Sequence, residues 1–83
     1  MSEANTFHLS VASVGETHFD GHAISVTLPG ESGELTILAH HAPIVTTLKA
    51  GTIAISGETE ISKDIHIDGG VLEVANNRAV VLL

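Results

Sequence analysis

Apolar and polar residues alternate with a period of two along most of this chain. Phe7, Leu9 and Val11 alternate with His8, Ser10 and Ala12, and Ile24, Val26 and Leu28 alternate with Ser25 and Thr27. The pattern returns at Ile53 and Ile55, at Ile65 and Ile67 between Asp64, His66 and Asp68, and at Leu72 and Val74 around Glu73. Successive side chains of a strand point to opposite faces, so each run has one core face and one solvent face. Val, Ile and Thr are abundant and suit a pleated, half-buried surface. Turn residues separate the runs: Gly15-Glu16, Asp20-Gly21, Gly30 to Gly33, Gly57-Glu58, Gly69-Gly70 and Asn76-Asn77. Asn tolerates positive φ, so Asn76-Asn77 reads as a tight hairpin turn. The best helical candidate, Ala39 to Leu48, contains Pro43 and a Val45-Thr46-Thr47 run, which argue against a helix. The pattern predicts an all-β sandwich or barrel.

At 83 residues the chain is one domain, 1–83. A domain of this size buries only about 60% of its unfolded surface, so its stability margin is thin. Ten acidic residues against three basic ones give a net charge of -7. Phosphate backbones and anionic lipid surfaces are therefore poor partners. Trp and Tyr are absent, which leaves Phe7 and Phe19 as the stacking residues and weakens a nucleic-acid reading further. The lack of cysteine removes disulfides, thiolate metal sites and a thiol nucleophile. Met1 to Thr6 is polar and acidic and does not read as a secretory leader, and the apolar run Ala79 to Leu83 is too short to span a bilayer.

Side-chain chemistry gives little support for an enzyme. Six histidines, His8, His18, His22, His40, His41 and His66, raise the question of metal binding. His18 and His22 flank Asp20-Gly21, adjacent His40 and His41 would point to opposite faces of a strand, and no ligand spacing of a known metal site is present. Glu31 with Glu34, and Glu58 with Glu60, read as solvated charges and not as an acid–base pair. No G-x-S-x-G nucleophile elbow occurs, and Gly30-Glu31-Ser32-Gly33 lacks the lysine of a phosphate-binding loop. No catalytic residue, metal ligand set or cofactor is expected. Leu28 to Leu48, LPGESGELTILAHHAPIVTTL, breaks the alternation with a polar loop and a His-His-Ala-Pro corner. Function concentrates in loops on a rigid scaffold, so this segment is the candidate site.

The same segment carries a family resemblance. Leu28-Pro29-Gly30, Gly33-Glu34-Leu35, Ile37-Leu38, His41-Ala42-Pro43, Thr46, Leu48 and Gly51 stand in order as in the epsilon subunits of F-type ATP synthases. Gly69-Gly70, Leu72-Glu73-Val74, Asn77 and Val80-Val81-Leu82 extend the match, as do Phe7-His8-Leu9 and Phe19-Asp20-Gly21. The chain therefore resembles that family from Thr6 to Leu83. It departs at Thr36, where the family usually has Gly, at Ala50, where it has Pro, and at Ala39-His40, where it has Pro-Gly.

The resemblance implies a β-sandwich of about ten short strands in two sheets. It implies a non-catalytic place in the central rotor stalk, one copy per complex, clamping the foot of the gamma subunit and touching the polar loops of the membrane c-ring. Glu31, Ser32, Gly33, Glu34 and His41 would lie on the c-ring side, and Ala42, Pro43 and Thr46 near gamma. The location implied is peripheral, on the cytoplasmic face of the bacterial inner membrane. Family members commonly continue into a two-helix hairpin with an inhibitory or ATP-binding role. A chain ending at Leu83 is expected to be either a short form without that role or a trimmed piece of a longer member. The competing reading from the histidines is a free-standing metal- or ligand-binding β-sandwich module.

Overall fold

The computed structural model describes residues 5–57 and 62–83. Seven strands account for most of them: β1 Phe7–Ser13, β2 Glu16–Ala23, β3 Ser25–Gly30, β4 Gly33–Leu38, β5 Ile44–Ser56, β6 Ser62–Ala75 and β7 Arg78–Leu82. They form one hydrogen-bonded sheet in the order β2-β1-β7-β6-β5-β3-β4. All neighbours are antiparallel except β1 and β7, which run parallel, so the first and last strands lie side by side.

The alternation in the sequence is the alternation of burial, except at Ile24, which precedes β3 and is 37% exposed. Phe7, Leu9 and Val11 of β1, Val26 and Leu28 of β3, Ile53 and Ile55 of β5, Ile67, Leu72 and Val74 of β6 and Val81 of β7 are buried in a single core. Ala23, Ile37, Leu48 and Ala79 complete it, with Phe19, Leu35, Ile44, Ile65 and Leu83 packed at its margin. A flat seven-stranded sheet would be about 29 Å wide and would expose both faces. Here one face is buried and the molecule measures 35 × 23 × 22 Å. The sheet has folded over its own apolar face into two layers.

The fold occurs within β5 and β6. In β5 the inward residues are Ile44, Thr46 and Leu48, then Gly51, Ile53 and Ile55, so the inward phase changes at Lys49-Ala50. In β6 it changes between Ile67 and Leu72. The pairing register keeps one frame from Ile44↔Val74 to Ser56↔Ser62 and omits only Ala50 and Asp68. Both strands continue through the bend while their inner faces swap sides. Gly69 adopts φ 147°, a backbone state essentially reserved for glycine. A Cβ on Gly70 would stand 2.7 Å from the Leu82 carbonyl oxygen.

This geometry explains why seven strands replace the ten or so expected. Gly69-Gly70 does not end a run; it lies in the interior of β6. Asp20-Gly21 is likewise no turn but the interior of β2, paired with Ser10 and Leu9. Pairing along β1 supplies the backbone hydrogen bonds that a local turn would otherwise provide, so tertiary context overrides turn propensity. The β1–β2 turn falls on Val14-Gly15, one residue earlier than expected. Asn76-Asn77 is the two-residue turn anticipated, with φ 53° and 60° between the paired Ala75 and Arg78. Glu58 and Glu60 lie outside the described residues.

Candidate functional site

The irregular segment makes two projections. The first is the β3–β4 hairpin, a two-residue Glu31-Ser32 tip closed by the Gly30↔Gly33 pair. The tip is held against β5 by two bonds. The Glu31 backbone N–H donates to the Thr47 carbonyl at 3.0 Å, and the Thr47 hydroxyl donates to Glu31 Oε1 at 2.9 Å. Pro29, which has no N–H, sits where the β3–β5 register shifts, between Thr27↔Ala54 and Gly30↔Leu48. The irregularity brings Gly30 opposite Leu48 and so sets the tip beside Thr47. Ser32, Gly33 and Glu34 are exposed.

The second projection is the corner at 39–43, between β4 and β5. His41 is half-buried. Its N–H donates to the Leu38 carbonyl at 3.2 Å, and its Nδ1 lies 2.7 Å from the Ala42 carbonyl. The carbonyl can only accept, so Nδ1 carries the proton and His41 is tied to its own corner. Ala42 and Pro43 are exposed. His40 adopts φ 65°, and its N–H donates to Asn77 Oδ1 at 2.7 Å.

The two projections flank one short stretch of β5. The corner feeds into Ile44 and the tip rests on Thr47, three residues or about 10 Å along the strand. Glu31, Ser32, Gly33, Glu34, His41, Ala42 and Pro43 thus border one region. Thr46 differs from the rest. It shares the inward phase of Ile44 and Leu48, opposite the buried Leu72, and is half-buried. The outward residues of this stretch are Val45, 68% exposed, and Thr47. Counting the phase from Leu48 backward would have identified them in the sequence.

Among the described residues the histidines do not converge on one point. On the outer face of β1 and β2, His8 lies opposite His22 with ring centroids 5.9 Å apart, and His8 Nε2 is 2.7 Å from Asp20 Oδ1. His18 Nε2 is 3.0 Å from the Ser13 hydroxyl. Among the described residues no three His, Asp or Glu side chains are placed to hold a metal ion. No helix of the described residues is long and apolar enough to cross a membrane.

Comparison with known proteins places this architecture. The model of the ATP synthase delta/epsilon chain β-sandwich domain matches residues 6–83. The chain belongs to that family. It is 42% identical over 78 residues to the ATP synthase epsilon chain of Delftia acidovorans, covering 94% of this chain and 56% of that one. It is 43% identical over 77 residues to the epsilon chain of Bordetella avium, covering 93% and 55%. The chain thus spans little more than half the length of these relatives. Among solved structures, a chain of the Euglena gracilis mitochondrial ATP synthase superimposes with a TM-score of 0.87 at 20% identity, over 93% of this chain and 49% of that one. A chain of the Tetrahymena thermophila mitochondrial ATP synthase, from a structure of its central stalk and c-ring, does so with a TM-score of 0.72, also at 20% identity, over 90% and 60%. These likenesses confirm the fold.

The family frame clarifies two of the departures. Thr36 is exposed on β4, and its hydroxyl lies 3.1 Å from that of Thr27 across the strand pair. The Thr36 side chain therefore joins a cross-strand Thr–Thr pair. His40 holds a left-handed backbone, which costs a residue with a Cβ about 1 kcal/mol. His40→Gly is therefore expected to stabilise the protein by about 0.5–1 kcal/mol and to raise the thermal midpoint by about 4 °C. A lower midpoint would mean that the imidazole makes contacts worth more than the strain.

Proposed function

We propose that this chain is a non-catalytic module of the central stalk of an F-type ATP synthase. It docks on the gamma subunit and contacts the c-ring, and so helps couple ion translocation through the ring to ATP synthesis. The observation that carries the reading is the family match over residues 6–83, with relatives named as ATP synthase epsilon chains. The likeness to a chain of the Tetrahymena central stalk and c-ring supports it. The geometry offers a surface for this role: two projections bordering one exposed stretch of β5. The β3–β4 hairpin end from Glu31 to Glu34 and His41 face the ring, and Ala42 and Pro43 lie toward gamma with the outward Val45 and Thr47, Thr46 being half-buried beneath them. The tip carries two carboxylates, so polar or basic ring loops are its natural counterpart. The site on the membrane is peripheral, at the cytoplasmic face.

Co-expression with the gamma subunit of the same organism, followed by size-exclusion chromatography, tests the reading. The two chains are expected to co-elute at micromolar concentration. Separate elution there would overturn the stalk assignment.

A further inference from the structure

The β6–β7 turn reaches the candidate site through one side chain. Asn77 is the second residue of that turn, with φ 60°. Its carboxamide bonds in two directions to segments remote in sequence. Oδ1 accepts from the His40 N–H at 2.7 Å, across 37 residues. Nδ2 donates to the Thr6 carbonyl at 3.0 Å, across 71 residues. The Asn77 backbone carbonyl accepts from the His8 N–H at 3.2 Å. The two carboxamide contacts fix its orientation, because His40 N–H can only donate and the Thr6 carbonyl can only accept.

The consequence falls on the corner. His40 holds a left-handed backbone that its side chain disfavours, and the exposed Ala42 and Pro43 follow directly. Two bonds hold the corner in place at its start, the His40 N–H on Asn77 and the His41 N–H on Leu38. The Leu38 bond is local and travels with the corner. The Asn77 bond ties it to a different part of the sheet. That part is rigid, since the turn joins paired strands and is anchored to the start of β1.

We infer that Asn77 is a positioning residue for partner docking: its carboxamide holds the 39–43 corner in the one conformation that the shaft partner binds. This rests on the docking reading above. It adds a residue outside the segment that makes the contact. A corner released from Asn77 samples other backbone states, and apparent affinity falls in proportion to the fraction still competent.

Asn77→Gly isolates this role. Asn-Gly is the preferred pair for a two-residue hairpin turn, so the turn itself is retained while both carboxamide bonds are lost. Affinity for the gamma subunit, measured by calorimetry on the full chain, is expected to fall about tenfold. Amide exchange followed by NMR should show His40 released by at least about tenfold, with the ladder amides of β6 and β7 unchanged. Asn77→Asp keeps an acceptor for His40 and replaces the donor to Thr6 by a second acceptor, so the Thr6 contact is lost outright. The variant should retain His40 protection and bind within about threefold of the wild type. Wild-type affinity in Asn77→Gly with His40 released would overturn the inference and leave the docking reading intact. A loss in Asn77→Asp as large as in Asn77→Gly, with His40 still protected, would also overturn it, because the effect would then lie at Thr6. Wild-type protein that fails to bind gamma would overturn the docking reading, and this role with it.

Discussion

Replacing Gly70 by alanine is expected to cost about 3 kcal/mol and to lower the thermal midpoint by more than about 10 °C. The added Cβ would lie 2.7 Å from the Leu82 carbonyl oxygen and 3.1 Å from Leu83 Cδ2. The second contact is with the end of a flexible side chain and can yield. The first is with backbone of β7, locked by its pairing to both β6 and β1. Relief therefore requires β7 to shift, and β7 carries the buried Ala79 and Val81. Gly69→Ala is the instructive comparison. Its Cβ would find its nearest neighbour, the Leu48 carbonyl oxygen, at an ordinary 3.5 Å, and its penalty is confined to the φ of 147°. Gly70 also holds a positive φ, 159°, so both variants carry a conformational penalty and the difference between their melts reports the steric term. A Gly70→Ala protein that melts within about 3 °C of the wild type would show that the bend can open without cost.

The same pair shows where the sequence speaks and where it falls silent. Period-two alternation identified Phe7, Leu9, Val26, Leu28, Ile53, Ile67, Leu72 and Val74 as core, because burial on one face is imposed residue by residue. Asn76-Asn77 was legible because positive φ selects few side chains. A glycine pair is ambiguous, since the freedom that closes a turn also lets a paired strand fold over. Gly69-Gly70 and Asp20-Gly21 look alike locally, and their neighbours β7 and β1 decide what each becomes. The candidate site was legible as a break in alternation over Leu28 to Leu48, which contains the Glu31-Ser32 tip and the 39–43 corner. The inward turn of Thr46 follows from the phase change at Lys49-Ala50. The reach of Asn77 to His40 and Thr6 spans 37 and 71 residues, distances at which no local pattern carries information.

Phe7→Ala is expected to remove about 3–5 kcal/mol, the range for truncating a buried aromatic. Phe7 is 2% exposed and is among the largest fully enclosed side chains of the core. It opens β1, the strand paired with both β2 and β7, so collapse around the cavity is resisted from two sides. Small domains have only about 5 kcal/mol in hand, so the variant alone keeps about 0–2 kcal/mol and should be partly unfolded at about 37 °C. The proposed docking on gamma would change the balance. A partner that binds only the folded chain adds about 4 kcal/mol when present at ~1,000 times its dissociation constant. Co-expressed with gamma, Phe7→Ala should therefore be recovered as a folded complex, while circular dichroism of the variant alone should show a reduced strand signal and a thermal midpoint lowered by more than about 10 °C. Phe7 also adjoins Thr6, whose carbonyl accepts from Asn77, so the rescued complex should dissociate faster than the wild type. Failure of gamma to recover the variant, with wild-type chain binding normally under the same conditions, would show that docking does not supply the stability this small sandwich lacks.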